Sequence, residues 1–306
     1  MYPSYLNFKS SEIEKRRKAI FEMMQPCHIC PRKCRVNRLE NERGFCNLGI
    51  KTMISSFHPH FGEEECLVGT HGSGTIFFTW CNLRCVYCQN YEISQLGIGK
   101  EIEDTELAEI MLRLQSYDCH NINLVTPTPQ VPQILSALAI VIQKGLKIPL
   151  VYNTGDYDSV ETLKLLDGIM DIYMLDFKYS DEKMAEKYSS APRYPEIAKK
   201  AIKEMRRQVG DLVLDENGIA KKGLLVRHLV LPKDTAGTEK IMEFLAREIS
   251  RNTFVNIMDQ YRPCFKAKDF PPLDRRITFQ EYSKDREIAK RTGLERIYPF
   301  SNFQEA

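Results

Sequence analysis

No stretch of this 306-residue chain is apolar for long enough to cross a bilayer, because a spanning helix needs about 20 predominantly apolar residues in a row. The opening Met1-Tyr2-Pro3-Ser4 lacks the apolar core of a secretion signal. Together these absences exclude a membrane partner and lead to the expectation of a cytoplasmic protein. An excess of one charge is missing too. The formal net charge is +2, and the basic group Lys199, Lys200, Lys203, Arg206 and Arg207 is interleaved with apolar residues at helical spacing. That is the pattern of a solvated helix face and argues against nucleic acid as a partner. Repeats and low-complexity tracts are absent, and 43% hydrophobic residues suffice for one large α/β domain with a small appendage.

Cysteine, by contrast, is plentiful. Ten cysteines, grouped in close triplets and pairs, argue for metal ligation in a reducing compartment over a disulfide framework. Three stand at Cys81-x3-Cys85-x2-Cys88, directly after the run Thr75 to Trp80. Three thiolates at this spacing ligate three irons of a 4Fe-4S cube and leave the fourth without a protein ligand. Clusters that only carry electrons normally take four cysteines, so an open iron is a place for a small molecule. Zinc sites usually pair their cysteines in short knuckles. This triplet instead follows turn chemistry at Gly72-Ser73-Gly74 and a β-rich run, Thr75 to Thr79, and so falls at a strand's carboxyl end, where parallel α/β folds place their chemistry.

A second group lies upstream. Residues 10–25 read as a helix ended by Pro26, and Cys27-x2-Cys30-x3-Cys34-x11-Cys46 follows, with Pro31 and Gly44 as turn residues. Four thiols in so short a segment describe a metal-stapled module, and either zinc or a second 4Fe-4S cluster satisfies them. Cys66, Cys119 and Cys264 are single and read as packing residues.

From Thr75 onward, β-rich runs alternate with amphipathic helices, the pattern of βα units around a parallel sheet. The runs are Thr75–Thr79, Asn121–Val125, Pro149–Tyr152, Ile172–Leu175, Leu224–Leu229 and Phe254–Met258. Six units do not close an eight-stranded barrel, so the expected fold is α/β, a partial (βα)6 TIM-type barrel open on one side, with the small cysteine-rich module at its N-terminus. The expected division is 1–50 for helix and module, 51–270 for the barrel and 271–306 for a C-terminal helical extension.

The segment Trp80-Cys81-Asn82-Leu83-Arg84-Cys85-Val86-Tyr87-Cys88-Gln89-Asn90 contains Cys-x3-Cys-x-aromatic-Cys. In this it resembles the radical SAM superfamily, and the order of features is similar to that of the pyruvate formate-lyase activating enzyme and its relatives. The resemblance implies an oxidoreductase in which a 4Fe-4S cluster on Cys81, Cys85 and Cys88 binds S-adenosylmethionine (SAM) and cleaves it reductively to a 5′-deoxyadenosyl radical. It further implies hydrogen abstraction from a protein glycine or, alternatively, from a small metabolite or cofactor precursor, with a flavodoxin- or ferredoxin-type electron donor. A non-catalytic iron–sulfur electron-transfer or regulatory protein is the third reading.

Site residues follow from the same resemblance. Asn153-Thr154-Gly155 and Leu175-Asp176-Phe177-Lys178 look like SAM-contacting strand ends, and Tyr87 is placed near the adenine. The family's Gly-Gly-Glu at the second strand's end is replaced by Thr126-Pro127-Thr128-Pro129, so backbone carbonyls from Thr126 onward would have to meet the SAM ammonium. Alternation along a strand puts Asp176 and Lys178 on one side, and Arg227 and His228 on opposite sides. His228 is taken as the candidate contact, and Met258, sharing a face with Asn256 and Gln260, as a wall of the pocket.

Overall fold

The computed structural model describes residues 1–299. The strands, in chain order, are β1 (Thr52–His60), β2 (Ser73–Phe78), β3 (Lys100–Ile102), β4 (Ile122–Val125), β5 (Leu150–Thr154), β6 (Ile172–Asp176), β7 (Val213–Leu214), β8 (Ala220–Leu229), β9 (Phe254–Met258) and β10 (Arg296–Tyr298). They form one sheet in the order β10-β9-β8-β6-β5-β4-β2-β1-β3, with β7 paired to β8. The six runs read from the sequence are β2, β4, β5, β6, β8 and β9, and they pair parallel throughout. Their residues are buried on both faces, as in β5, where all five are inside. Continuous apolar strands are what helices packed over a parallel sheet require.

The sheet curls. The loop after β2 reaches the segment that follows β9: Gln89 Nε2 donates to the Gln260 carbonyl (3.3 Å) and Lys266 N–H to the Val86 carbonyl (2.9 Å). The first and last of the six strand ends therefore share one opening, as in a partial barrel. Helices Asp104–Ser116, Val131–Val141, Val160–Leu165, Tyr194–Val209 and Thr238–Phe244 fill the crossovers, and the N-terminal helix Ser10–Glu22 packs across Val131–Val141. No described helix is long and apolar enough to cross a membrane.

Four described strands, β1, β3, β10 and the two-residue β7, have no counterpart in the sequence reading. β1 runs antiparallel to β2, and β3 antiparallel to β1. Because β1 descends, its end delivers the loop of Gly62, Glu63 and Glu64 to the floor of the barrel, where Asn256 Nδ2 donates to Glu64 Oε1 (2.8 Å). At the other edge β10 pairs parallel with β9, following the helix Phe279–Arg291.

His228 is corrected by the fold. Arg227 faces the barrel interior, so His228 faces outward into the packing between strand and helices. It is fully buried, with Nδ1 2.9 Å from the Phe177 carbonyl and Nε2 2.9 Å from Thr238 Oγ1, which in turn meets Asp285 Oδ2 at 2.6 Å. Burial lowers its pKa, which keeps the ring neutral in this apolar layer. We expect His228→Leu to lose roughly 1–3 kcal/mol of stability in denaturant titrations, the cost of buried partners left unsatisfied.

Candidate functional site

Strand ends and one loop build the site. The cysteine loop is held in place by its backbone: Arg84 N–H donates to the Ser189 carbonyl (2.9 Å) and Val86 N–H to that of Tyr188 (2.8 Å), while Asn82 Nδ2 donates to the Tyr157 carbonyl (2.7 Å). Ser189 ends a helix, Glu182–Ser189, capped by Asp181, whose carboxylate accepts from Met184 N–H (3.0 Å). At Gly155 a Cβ would lie 2.8 Å from Leu83 Cδ1 and 3.4 Å from Lys178 Cε. A side chain here would push Leu83 aside, so glycine lets β5 end close against the loop.

Each of the three sulfurs meets a hydrogen-bonding group. Leu83 N–H donates to Cys81 Sγ (3.3 Å) and Ser189 Oγ to Cys85 Sγ (3.0 Å), and Ser94 Oγ lies 3.1 Å from Cys88 Sγ. Donors to sulfur favour the thiolate. Burial, with Cys85 nearby, pushes the Cys81 thiol up to about 12 and Cys88 up to about 11, so these groups release their protons when a cation takes their place on sulfur and keep them otherwise. One buried and two half-buried thiols with sulfur-directed donors, grouped within electrostatic reach of one another, fit a 4Fe-4S cluster.

Cys85 and Cys88 line a cavity of about 550 Å³ whose other walls include Tyr87, Asn153, Asp176, Lys178, Arg227 and Met258. Asp176, Arg227 and Asn256 lie abreast on β6, β8 and β9. Arg227 is the hub: Nε meets Asp176 Oδ1 at 2.7 Å, Nη1 meets Glu63 Oε2 at 2.8 Å, and Nη2 donates to Asn153 Oδ1 at 2.9 Å. Lys178 Nζ reaches Asp176 Oδ2 at 2.9 Å. Burial raises the Asp176 carboxyl, but Arg227 and Lys178 outweigh it and hold the group at about 2. Burial likewise disfavours the charge on Lys178, and Asp176 reverses this, raising its pKa above the ordinary lysine value. Asp176, Arg227 and Lys178 are therefore charged at neutral pH, and Lys178 keeps donors free toward the cavity.

The structure separates the residues expected to meet SAM. Tyr87, Asn153, Asp176, Lys178 and Met258 line the same cavity. Tyr87 packs edge-on to Tyr261 at 5.9 Å and accepts a hydrogen bond from Tyr179 OH (2.8 Å). Thr154 does not line the cavity: alternating with Asn153, it turns behind the strand, where its Oγ1 donates to Asp158 Oδ2 (2.6 Å). Thr126 also stays off the cavity wall, which Val125 occupies. Its φ of +62° is costly for a β-branched residue, and its N–H donates to the Asn153 carbonyl (2.8 Å). The second strand's end thus keeps a backbone conformation that glycine favours, with threonine in its place.

Four participants were missed by sequence reasoning: Arg227, Glu63, Glu64 and Asp156. The alternation rule left Arg227 and His228 open, and only the register that sets Arg227 beside Asp176 decides between them. Glu63 and Glu64 arrive from β1, a strand rich in Ser, His and Pro that carries little β signal. Asp156 follows Gly155, is fully buried, and has no partner for either carboxylate oxygen. Burial, then the charges of Asp158 and Asp176, push its pKa well above the usual carboxylate range. The folded state therefore binds this proton more tightly than the unfolded chain. Stability is lost as pH rises from about 4 toward the folded value, by up to ~1.4 kcal/mol per pH unit. We expect urea titrations of Asp156→Asn to gain on the wild type as pH rises above the ordinary carboxylate pKa of about 4; parallel curves would show that Asp156 finds a compensating partner.

Residues 75–245 match the sequence profile of the Radical SAM superfamily. Two proteins of Methanocaldococcus jannaschii, both described as uncharacterized, are similar over most of the chain. MJ0674 is 38% identical over 280 residues, covering 89% of this chain and 76% of that protein. MJ0808 is 26% identical over 301 residues, covering 89% and 80%. Among solved structures, HydG, a maturase of the [FeFe]-hydrogenase, aligns with a TM-score of 0.48 at 11% identity, over 94% of this chain and 62% of that one. On the profile match, the extended identity to MJ0674 and the three-cysteine loop at the mouth of a parallel sheet, this chain belongs to the radical SAM superfamily.

Proposed function

We propose that this radical SAM enzyme abstracts a hydrogen atom from a carbon of a protein segment, in the manner of the glycyl radical activases, and takes its electron from a flavodoxin- or ferredoxin-type donor. When bound, the 4Fe-4S cluster and SAM supply the one-electron reduction and the hydrogen-abstracting chemistry. The chain's own residues position and seclude. Asp176, kept ionised, accepts from the ammonium of SAM. Lys178 offers its remaining donors to the carboxylate. Asn153 is fixed by Arg227 for hydrogen bonding at the β5 end. Tyr87, Leu229 and Met258 are apolar wall, and such walls exclude water from a radical.

The observation that carries the reading is the single cavity shared by Cys85, Cys88, Asp176 and Lys178. The choice of a protein substrate is supported by the mouth of that cavity, where Gln89, Asn90, Gln260 and Arg262 are exposed polar groups. Such a rim can pair with the backbone of an extended peptide.

Anaerobic incubation with dithionite and SAM should release 5′-deoxyadenosine from the reconstituted wild type and none above background from Cys85→Ala. Full activity in that variant would contradict the reading. Asp176→Asn should raise the KM for SAM about tenfold, equivalent to ~1.4 kcal/mol of lost binding. The substrate class is tested with deuterated cell fractions. Deuterium should enter 5′-deoxyadenosine from the protein fraction, whereas label arriving only from the small-molecule fraction would replace the protein substrate with a metabolite.

A further inference from the structure

The cysteine module at the N-terminus has no part in the cavity. Cys27, Cys30 and Cys46 are buried, Cys34 is half-buried, and all four are free thiols. They gather at one place: Cys30 lies within electrostatic reach of the other three, and Cys46 of Cys27 and Cys34. Three sulfurs accept backbone N–H groups, Cys30 from Arg32, Cys34 from Phe45 at 3.4 Å, and Cys46 from Leu48. A Cβ on Gly44 would fall 2.7 Å from Cys34 Cβ and 2.9 Å from its Sγ, so the chain closes over this thiol only with glycine there.

Two arginines are built into the same region. Arg38, 1% exposed, donates to the carbonyls of Gly49 (3.0 Å) and Pro129 (2.8 Å), and its charge acts on Cys46. Arg32 lies over the rings of Phe45 (3.7 Å) and Tyr157 (4.9 Å) and donates from Nε to the Asn82 carbonyl (2.8 Å) in the barrel's cysteine loop. Its Nη2 is buried without a partner. Cys30, Cys34 and Cys81 all lie within its electrostatic reach. A buried guanidinium N–H with no acceptor is costly, and buried cations require an anion nearby.

One zinc ion draws its thiolates to roughly 3.8 Å of one another. Among the described residues no three His, Cys, Asp or Glu side chains stand as a single-ion site, and this holds for Cys81, Cys85 and Cys88 as much as for the module. Both thiol sets have hydrogen-bonding groups aimed at sulfur, serine hydroxyls and a backbone N–H in the barrel loop and backbone N–H groups in the module, and Arg32 lies between them. A cube spreads its thiolates over four irons and adds sulfides that accept hydrogen bonds, which suits Arg32 Nη2.

We propose that Cys27, Cys30, Cys34 and Cys46 hold a second 4Fe-4S cluster, set behind the SAM-cluster loop with Arg32 between the two. All four irons are then cysteine-ligated, so this centre binds no substrate and exchanges single electrons: it is reduced by one electron from a low-potential one-electron donor and is reoxidised by passing that electron to the cluster on Cys81, Cys85 and Cys88, with no bond made or broken.

The test compares full-length wild type with the Cys81→Ala/Cys85→Ala/Cys88→Ala variant, both reconstituted anaerobically with iron and sulfide. The wild type should hold about eight irons and eight sulfides per chain and the triple variant about four of each. The reduced triple variant should show one 4Fe-4S electron paramagnetic resonance signal that SAM does not move, whereas the wild type should add a second signal that SAM shifts. About four irons in the wild type and none in the triple variant, with or without one zinc per chain, would overturn the second cluster while leaving the SAM site intact. Because the wild-type count alone is decisive, a triple variant that failed to fold would not protect the proposal.

Discussion

Arg227 is the constraint on which the barrel interior depends. One guanidinium, anchored near the carboxyl end of β8, ties Glu63 from the floor loop, Asp176 from β6 and Asn153 from β5 into one frame. Two carboxylates this close in a shielded interior would repel each other or take up protons. Arg227 between them pairs with each, and Asp176, held ionised, keeps Lys178 toward the cavity. The frame fixes side chains on three elements before any ligand arrives. Binding then spends little on ordering the site.

Above this frame the cysteine loop solves a different problem, that of holding three thiols inside the protein without letting them pack shut. It does so by borrowing donors from neighbouring elements. Ser189 from the helix Glu182–Ser189 and Ser94 from a one-turn helix meet two sulfurs, and the loop's own Leu83 N–H meets the third. The chain from Tyr87 through Tyr179 and Ser189 to Cys85 joins the aromatic wall to the thiol in one hydrogen-bonded series. A change at Tyr179, remote from the cavity, therefore bears on the electronics of the Cys85 sulfur.

Much of this was legible in the sequence, for identifiable reasons. The six parallel strands announce themselves because strands buried on both faces must be apolar and β-branched. The cysteine spacing is legible because ligand geometry acts over a few residues. Asp176 and Lys178 fall together because alternation along a strand is local. What local rules could not reach was register and direction. His228 was chosen over Arg227 because nothing in the sequence says which of two adjacent residues sits beside Asp176. Thr154 was grouped with Asn153 by resemblance although alternation sends it to the other face. Glu63 and Glu64 were invisible because β1 runs against the sheet and reaches the barrel floor from outside the βα pattern. The helix Glu182–Ser189 was readable, with Asp181 as cap and Met184, Ala185 and Tyr188 on one face, but it is short and lies close before a longer one.

The central claim is that SAM sits between the cysteine loop and the Asp176–Lys178 pair, with its amino-acid end at the open iron. Electron–nuclear double resonance on the reduced wild-type protein with SAM labelled by ¹⁷O in the carboxylate and ¹⁵N in the amine reports this contact directly. The account predicts hyperfine coupling of both labels to the cluster, weakened in Lys178→Met. Absence of coupling in the wild type, with SAM bound, would contradict it.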